Sequence, residues 1–449
     1  MSENKNENKN ENKNENTKKI LGFIKESPSC FHAVKKIADE MKSCGFTELS
    51  EKEKWNLSAG GKYFVTRNSS SIISFAIPKN DFRSFRIVAS HSDSPGFKVK
   101  ENPELCGNGC TRLNVEKYGG MLLAPWFDRP LSVAGRVCMK SGNGFAVEER
   151  LFDFGRDIAM IPSLAIHFAR DANDGHKINF QNEMMPIITT EKDFDLKKKI
   201  AEKISFDGNG KQTADEILPE ILSYDLFVYN RDEGKFWGAN DEFISSPRLD
   251  DLECAFSTMI GFVEAVKNEN ADGDSVLVHA VFDNEEVGSS SRQGANSTFL
   301  EDTLKRINLS LGKNDEDYMV AVANSFLVSA DNAHALHPSF ADKSDLINRP
   351  KVNGGIVIKF NASQKYTSDA VSSGMFKRIC ENANVPVQVF TNNSNVAGGS
   401  TLGNISTSHV SVLSVDIGLA QWAMHSPYES AGAADAESMV RAMSEFYRA

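Results

Sequence analysis

The stretch Val281-Phe282-Asp283-Asn284-Glu285-Glu286-Val287-Gly288 is the best starting point for the fold. Residues 276–282 form an apolar, β-favouring run that stops at an acidic cluster followed by glycine. Buried strands of an open α/β sheet end in this way, because polar side chains collect in the crevice at their carboxyl ends. Glu285 and Glu286 can therefore face one site, where one binds a metal and the other carries a proton. Taken alone, such a cluster is more often a solvated acidic turn, so the pattern must recur elsewhere.

Potential ligands follow other predicted strands in the same way. The β-favouring run 85–90 ends directly on His91-Ser92-Asp93, and Asp331 follows the run 326–329. Asp250 precedes a run with helical spacing. An ordinary role as a helix N-cap would by itself explain an acidic residue at this position. The groups collected at strand ends and at this helix start are imidazoles and carboxylates: His91, Asp93, Asp250, Glu285, Glu286, Asp331 and His425.

These donor types indicate a metal centre. Imidazole nitrogens and carboxylate oxygens suit zinc, cobalt or manganese, and a set without thiolates is not a structural zinc finger. Two histidines and three carboxylates can hold two ions if one carboxylate bridges, and such ions can share a hydroxide. We therefore expect two divalent metal ions, with zinc as the first candidate and cobalt or manganese as alternatives.

Composition limits the class of protein. A chain of 449 residues is too long for one ordinary core, so two domains are expected. A net charge of −11 argues against nucleic acid as the partner, because phosphate binding requires a basic face. The sequence has no apolar run that could span a bilayer and no signal peptide. Seven scattered cysteines, of which only Cys106 and Cys110 are close, indicate reduced thiols and a cytoplasmic location.

The character of the sequence changes along the chain, which divides it into a tail, an insertion and a split domain. Residues 1–17 contain a repeat of Glu-Asn-Lys-Asn without apolar residues, which predicts a disordered tail. Residues 94–240 alternate glycine-rich turns with short β-like runs, which predicts a β-rich insertion. Residues 18–93 and 241–449 have α/β texture and are predicted to form one split catalytic domain around a mixed sheet.

Five motif blocks in order resemble those of the aspartyl aminopeptidases, the eighteenth metallopeptidase family. The resemblance runs from about residue 18 to the C-terminus and includes the insertion. The blocks are His91-Ser92-Asp93-Ser94-Pro95-Gly96, Ser246-Pro247-Arg248-Leu249-Asp250-Asp251, Asp283-Asn284-Glu285-Glu286-Val287-Gly288-Ser289, Ser329-Ala330-Asp331-Asn332-Ala333-His334 and Ala423-Met424-His425-Ser426.

The resemblance implies a role for each site residue. Asp250 corresponds to the bridging metal ligand, with the other ligands at His91, Glu286, Asp331 and His425. Asp93 corresponds to the acid that orients the ligand imidazole, and Glu285 to the general base and acid. The Asp250–Asp251 peptide bond is expected to be cis. Asp251 departs from the family pattern, in which asparagine is common, and adds a charge near the bridge.

The resemblance also implies a substrate and an assembly. The protein is expected to remove N-terminal residues from peptides, with acidic residues as the implied preference and neutral ones as the alternative. Lys359 is expected to face an acidic substrate side chain, although a lysine ending an apolar strand can also be a surface residue. His334 is expected to contact substrate. The insertion is expected to build dimers within a homo-oligomer of twelve subunits, in which His167 reaches the neighbouring active site.

Two other functions remain open from the sequence. A related two-metal amidohydrolase, such as a carboxypeptidase or deacylase, would have a similar metal set; the order of the motifs and the insertion argue against it. A non-catalytic assembly scaffold would be credible if Glu285 or a ligand were missing, and none is missing.

Overall fold

A computed structural model describes residues 14–142, 144–267, 273–396, 398–399 and 401–449. Most of the predicted tail, residues 1–13, lies outside the described residues. The first helix begins at Glu15, three residues before the predicted start of order at Lys18. The earlier start has a physical reason, because Thr17 is fully buried and its hydroxyl donates to Ala433 O at 2.8 Å.

The longer helices mostly carry apolar residues on a buried face, such as Ile20, Leu21 and Ile24 in the first helix. In chain order they are α1 (Glu15–Lys25), α2 (Cys30–Ser43), α3 (Phe180–Glu183), α4 (Leu196–Asp207), α5 (Ala214–Ile217), α6 (Leu249–Lys267), α7 (Phe299–Ser310), α8 (Asp315–Ala323), α9 (Ala370–Asn382), α10 (Leu402–Ser406) and α11 (Asp435–Arg448).

The strands form three sheets. In chain order they are β1 (Thr47–Leu49), β2 (Lys62–Arg67), β3 (Ser71–Ala76), β4 (Ser84–His91), β5 (Gly96–Gly107), β6 (Cys110–Tyr118), β7 (Leu131–Lys140), β8 (Val147–Asp153), β9 (Ile187–Thr189), β10 (Ile221–Asn230), β11 (Lys235–Trp237), β12 (Phe243–Ser246), β13 (Ser275–Phe282), β14 (Phe326–Ala330), β15 (Ala333–His334), β16 (Ile356–Lys359), β17 (Val387–Phe390), β18 (Leu413–Gly418), β19 (Ala420–Trp422) and β20 (Glu429–Gly432).

The chain divides into two compact units. The first unit contains residues up to Asp93, Gly234–Met424 and Glu429–Ala449. Its nine-stranded sheet has the order β1-β2-β3-β13-β4-β14-β18-β16-β17, and the five-stranded sheet β11-β12-β20-β19-β15 belongs to the same unit. In the large sheet β13, β4, β14 and β18 are parallel, whereas β3 and β16 pair antiparallel with their inner neighbours. The predicted mixed-sheet α/β class is confirmed.

Helices cover both faces of the large sheet. On one face Val88 and Val281 lie in a core with Phe256 of α6. On the other face Ile87 lies in a core with Phe299 of α7. Adjacent residues of one strand thus serve opposite cores, as expected for strands buried on both faces. Within the described residues, no helix combines the length and the apolarity that a membrane span requires.

The second unit contains Ser94–Glu233 and His425–Tyr428. Its six-stranded sheet has the order β8-β7-β10-β5-β6-β9, and α4 contributes Leu196 and Ile200 to its core. The predicted insertion ran to residue 240. The unit ends earlier because β11 pairs with β12 of the first unit.

Candidate metal centre

Three parallel strands deliver polar groups to one edge of the large sheet. His91 is the last residue of β4 and pairs in register with Phe282 of β13. Asp331 follows β14, and the turn with Glu285 and Glu286 follows β13. Because the carboxyl ends of parallel strands meet at the same edge, these residues converge although 240 positions separate His91 from Asp331.

The converging groups are close enough to share metal ions. His91 Nε2 lies 3.5 Å from Asp250 Oδ1 and 4.0 Å from Asp331 Oδ1. One possible ligand set combines His91 with Asp250, Asp251 and Asp331, and another combines His91 with Glu285 and Glu286; within each set the ligand atoms lie within 4.8 Å of one another.

The tautomer of His91 suits a metal ligand. Its Nδ1 lies 3.0 Å from the carbonyl oxygen of Asp93 and 3.4 Å from Asp93 Oδ1. A carbonyl oxygen only accepts hydrogen bonds, so the Nδ1 proton points at Asp93. In the neutral imidazole, which is the form that binds a metal, the Nε2 lone pair is then directed at the carboxylates of Asp250 and Asp331, where a cation would relieve the repulsion. Asp93 itself accepts from the backbone N–H groups of Glu285 and Glu286, at 3.1 Å each.

Asp250 lies at an extended entry to α6. Its ψ of 107° is not helical, and the Asp250–Asp251 peptide bond is cis, which confirms that prediction. The Asp250 N–H donates to Glu429 Oε2 at 3.0 Å. The neighbouring Asp251 is fully buried, and its Oδ2 accepts from the His91 N–H at 3.1 Å. Asp251 Oδ1 has no hydrogen-bond partner among the described residues.

The electrostatics of the cluster show that it fits a cation. Burial and the surrounding carboxylates raise the pKa of Glu286 and Asp331, and burial raises the pKa of Glu285 to about 8. Burial lowers the pKa of His91, but the nearby aspartates outweigh it and the pKa is raised. The raised carboxylate pKa values reflect burial and mutual repulsion, and a bound cation would relieve this repulsion. Imidazole and carboxylate donors in this arrangement suit zinc.

Lys359 is a buried cation beside this cluster and not a surface lysine. Its side chain is 3% exposed, its Nζ donates to Asn332 O at 3.0 Å, and Nζ lies 3.5 Å from Asp331 Oδ2. Burial lowers the pKa of Lys359, but the Asp331 carboxylate outweighs it and the pKa is raised. The charge of this lysine is therefore available at the site.

Three further predicted residues are His425, His167 and His334. His425 belongs to the second unit, where its Nδ1 lies 2.6 Å from Gly120 O. His167 is exposed in the same unit. His334 is an exposed residue of β15. Their roles as ligand and substrate contacts remain predictions.

Sequence reasoning misses two residues that hold the site. Glu429 begins β20 and accepts from the Asp250 N–H, but no local signal distinguishes it from other strand residues. Asn284 precedes the two glutamates, and only its position before a paired acidic turn could have drawn attention to it.

The chain resembles known proteins over nearly its whole length. The family described as aminopeptidase I zinc metalloprotease (M18) matches residues 23–447. A probable M18 family aminopeptidase 2 of Clostridium acetobutylicum is 43% identical over 438 residues, covering 96% of this chain and 98% of that protein. A chain in the cryo-EM structure of the Ape4 and Nbr1 complex is 35% identical with a TM-score of 0.91, covering 96% of this chain and 85% of that chain. The mApe1 dodecamer of S. cerevisiae is 24% identical with a TM-score of 0.83, each chain covered to 97%. The protein therefore belongs to the M18 family of zinc metalloproteases and is a metalloaminopeptidase.

Proposed function

We propose that the protein removes the N-terminal residue of peptides with two divalent metal ions, zinc first among the candidates. The ions would be held by His91, Asp250, Glu286, Asp331 and His425, with Asp250 as the bridge. The convergence of the His91 Nε2 lone pair with buried carboxylates at one sheet edge carries this proposal. When bound, such ions act as Lewis acids that polarise the scissile carbonyl and acidify a water.

Glu285 is the proton carrier in this proposal. Its carboxyl group is half-buried and its backbone N–H is held by Asp93 Oδ1, so the side chain starts from a fixed position. Burial favours its protonated form, and bound cations would lower its pKa again towards the range of a general base. It takes a proton from the attacking water and gives it to the leaving amine.

Wild-type enzyme with zinc should cleave peptides that have a free N-terminus and leave N-terminally blocked peptides intact. A cleavage pattern that depends instead on a free C-terminus would support a carboxypeptidase.

The acidic preference is proposed to depend on Lys359, the buried cation next to Asp331. Lys359→Met should reduce turnover of Asp and Glu anilides by roughly 10–100-fold more than that of Leu or Ala anilides, because a desolvated charge loses its partner. An equal loss on all substrates would assign Lys359 to the support of Asp331 alone.

The assembly is proposed to be a homo-oligomer, in which the second unit makes subunit contacts and twelve subunits form the complete particle. The segment around His167 supports this proposal, since Leu164, Ile166 and Phe168 are 66%, 49% and 82% exposed. Exposed apolar side chains close together are typical of interfaces. The similar fold of the dodecameric mApe1 agrees with it.

If His167 acts in the neighbouring subunit, two inactive variants should complement each other. Mixing His167→Phe chains with Glu285→Gln chains should restore measurable turnover, because a mixed dimer contains one site with an intact glutamate and an intact partner histidine. Activity is compared before and after subunit exchange, with exchange verified by differently tagged chains. Unmixed variants serve as controls. No recovery after verified exchange would place the function of His167 within its own subunit.

A cytoplasmic location is also proposed. All seven cysteines are free thiols, and Cys30, Cys254 and Cys380 are buried. Reduced thiols are typical of cytoplasmic proteins.

A further inference from the structure

The turn that carries the two glutamates is also an anion-binding nest. Asn284 has a left-handed backbone conformation, with φ 62° and ψ 24°, and a single 3-10 turn, Glu285–Val287, follows it. This geometry directs two successive N–H groups to the same side. They donate to the two carboxylate oxygens of Asp93, at 3.1 Å each. Successive backbone N–H groups in such a conformation form a concavity that binds anions, and here the anion is a side chain of the protein.

Asn284 is held in place from two directions. Its Oδ1 accepts from Ser291 Oγ and from Gln293 Nε2, each at 2.7 Å. Its carbonyl oxygen accepts from the Ser289 N–H at 2.7 Å. Asparagine is one of the few residues other than glycine that adopt the left-handed conformation readily. The residue therefore combines the backbone conformation that the nest requires with a side chain that fixes the nest to the following loop.

We infer that Asn284 is a positioning residue, which acts on the metal centre through Asp93 and His91. The nest holds the Asp93 carboxylate, and Asp93 in turn faces His91 Nδ1, from the carboxylate at 3.4 Å and from the carbonyl at 3.0 Å. The same turn presents the side chains of Glu285 and Glu286. One asparagine thus sets the orientation of the imidazole and of both glutamates together. This inference rests on the proposed roles of His91 and Glu286 as ligands.

Three substitutions separate the two contributions of Asn284. Asn284→Ala removes the side-chain acceptor and disfavours the left-handed backbone. Asn284→Gly keeps the backbone conformation but loses the acceptor. Asn284→Asp keeps both an acceptor oxygen and tolerance of the left-handed region. Asn384→Ala is a matched control, because Asn384 is an exposed, left-handed asparagine with φ 52° at the end of α9.

The experiment measures the zinc affinity of each metal-free protein by competition with a chromophoric chelator, together with kcat, KM and thermal stability. Asn284→Ala should weaken zinc binding and lower kcat by roughly 10–100-fold, the range found when a residue supporting a metal ligand is lost. Asn284→Gly should show a smaller loss, and Asn284→Asp should recover most of the affinity. KM should change little, and Asn384→Ala should alter thermal stability at most.

Zinc affinity and kcat of Asn284→Ala equal to those of the wild type, or changed only as much as in Asn384→Ala, would overturn the inference. If Asn284→Ala does not fold, the double variant Ser291→Ala, Gln293→Ala decides in its place, because it removes both donors to Asn284 Oδ1 and leaves the asparagine intact. Unchanged zinc affinity in that variant would equally overturn the inference. Failure of the proposed function is distinguishable, since it would appear as a wild-type enzyme that binds zinc but releases no N-terminal residue.

Discussion

Glu285→Gln should lower kcat by at least about 10²–10⁴-fold, the contribution typical of a general base, while the metal content stays at the wild-type level. Glutamine is nearly isosteric with glutamate, and the Glu285 N–H that donates to Asp93 is part of the backbone, so the turn should persist. Only the ability to accept and return a proton is lost. The measurement is kcat per metal-loaded site, with metal stoichiometry determined on the same samples.

The adjacent glutamate provides the matched comparison. Glu286→Ala should reduce metal content or affinity, because a ligand oxygen is removed. Both variants change the same short turn, so a general disturbance of the turn would affect them equally. A Glu285→Gln enzyme that loses metal but keeps turnover per remaining site would reverse the assignment of the pair.

Removing the metal with a chelator should abolish turnover and also lower the free energy of unfolding. A ligand that binds only the folded state stabilises it by about 4 kcal/mol when its free concentration is a thousandfold above Kd. Zinc should do so here because it neutralises carboxylates that are buried together, such as Asp250 and Asp331. Unfolding by denaturant at several free zinc concentrations measures the effect, and added zinc should restore both properties. Stability that does not depend on zinc in the wild type would argue against a metal centre at this cluster.

The parts of the site that lie at strand ends can be predicted from the sequence. A buried apolar run that stops at polar residues has a local signature, and this signature identifies His91 and Asp331 together with the glutamate pair. Asp250 is identifiable because a helix-like run begins next to it. These signals are local in sequence. The residues that carry them lie close together in the fold because β4, β13 and β14 are parallel and end at the same edge of the sheet.

The supporting contacts cannot be predicted in the same way. Glu429 lies 179 positions after Asp250 in the chain and accepts a hydrogen bond from its N–H. The spacing of residues in the sequence gives no indication of this contact. The Asp93 nest depends on φ at Asn284, which composition does not specify. Burial of Lys359 was likewise unpredictable, because the neighbours that enclose a strand end belong to distant segments. The onset of order at Glu15 was missed because the contact of Thr17 with Ala433 is equally remote in sequence.

The position of β13 in the large sheet constrains the order in which the protein can be built. β3 and β4 follow each other in the chain but are not neighbours, because β13 lies between them, antiparallel to β3 and parallel to β4. In a nascent chain on the ribosome, β3 and β4 therefore lack the strand that pairs with both of them until residues 275–282 have been synthesised. Unpaired edges of this kind invite association with other chains, so this interval is one in which chaperone protection would matter. β13 also leads directly into Glu285 and Glu286, so the strand that joins β3 to β4 brings the glutamate pair to the edge of the sheet in the same step.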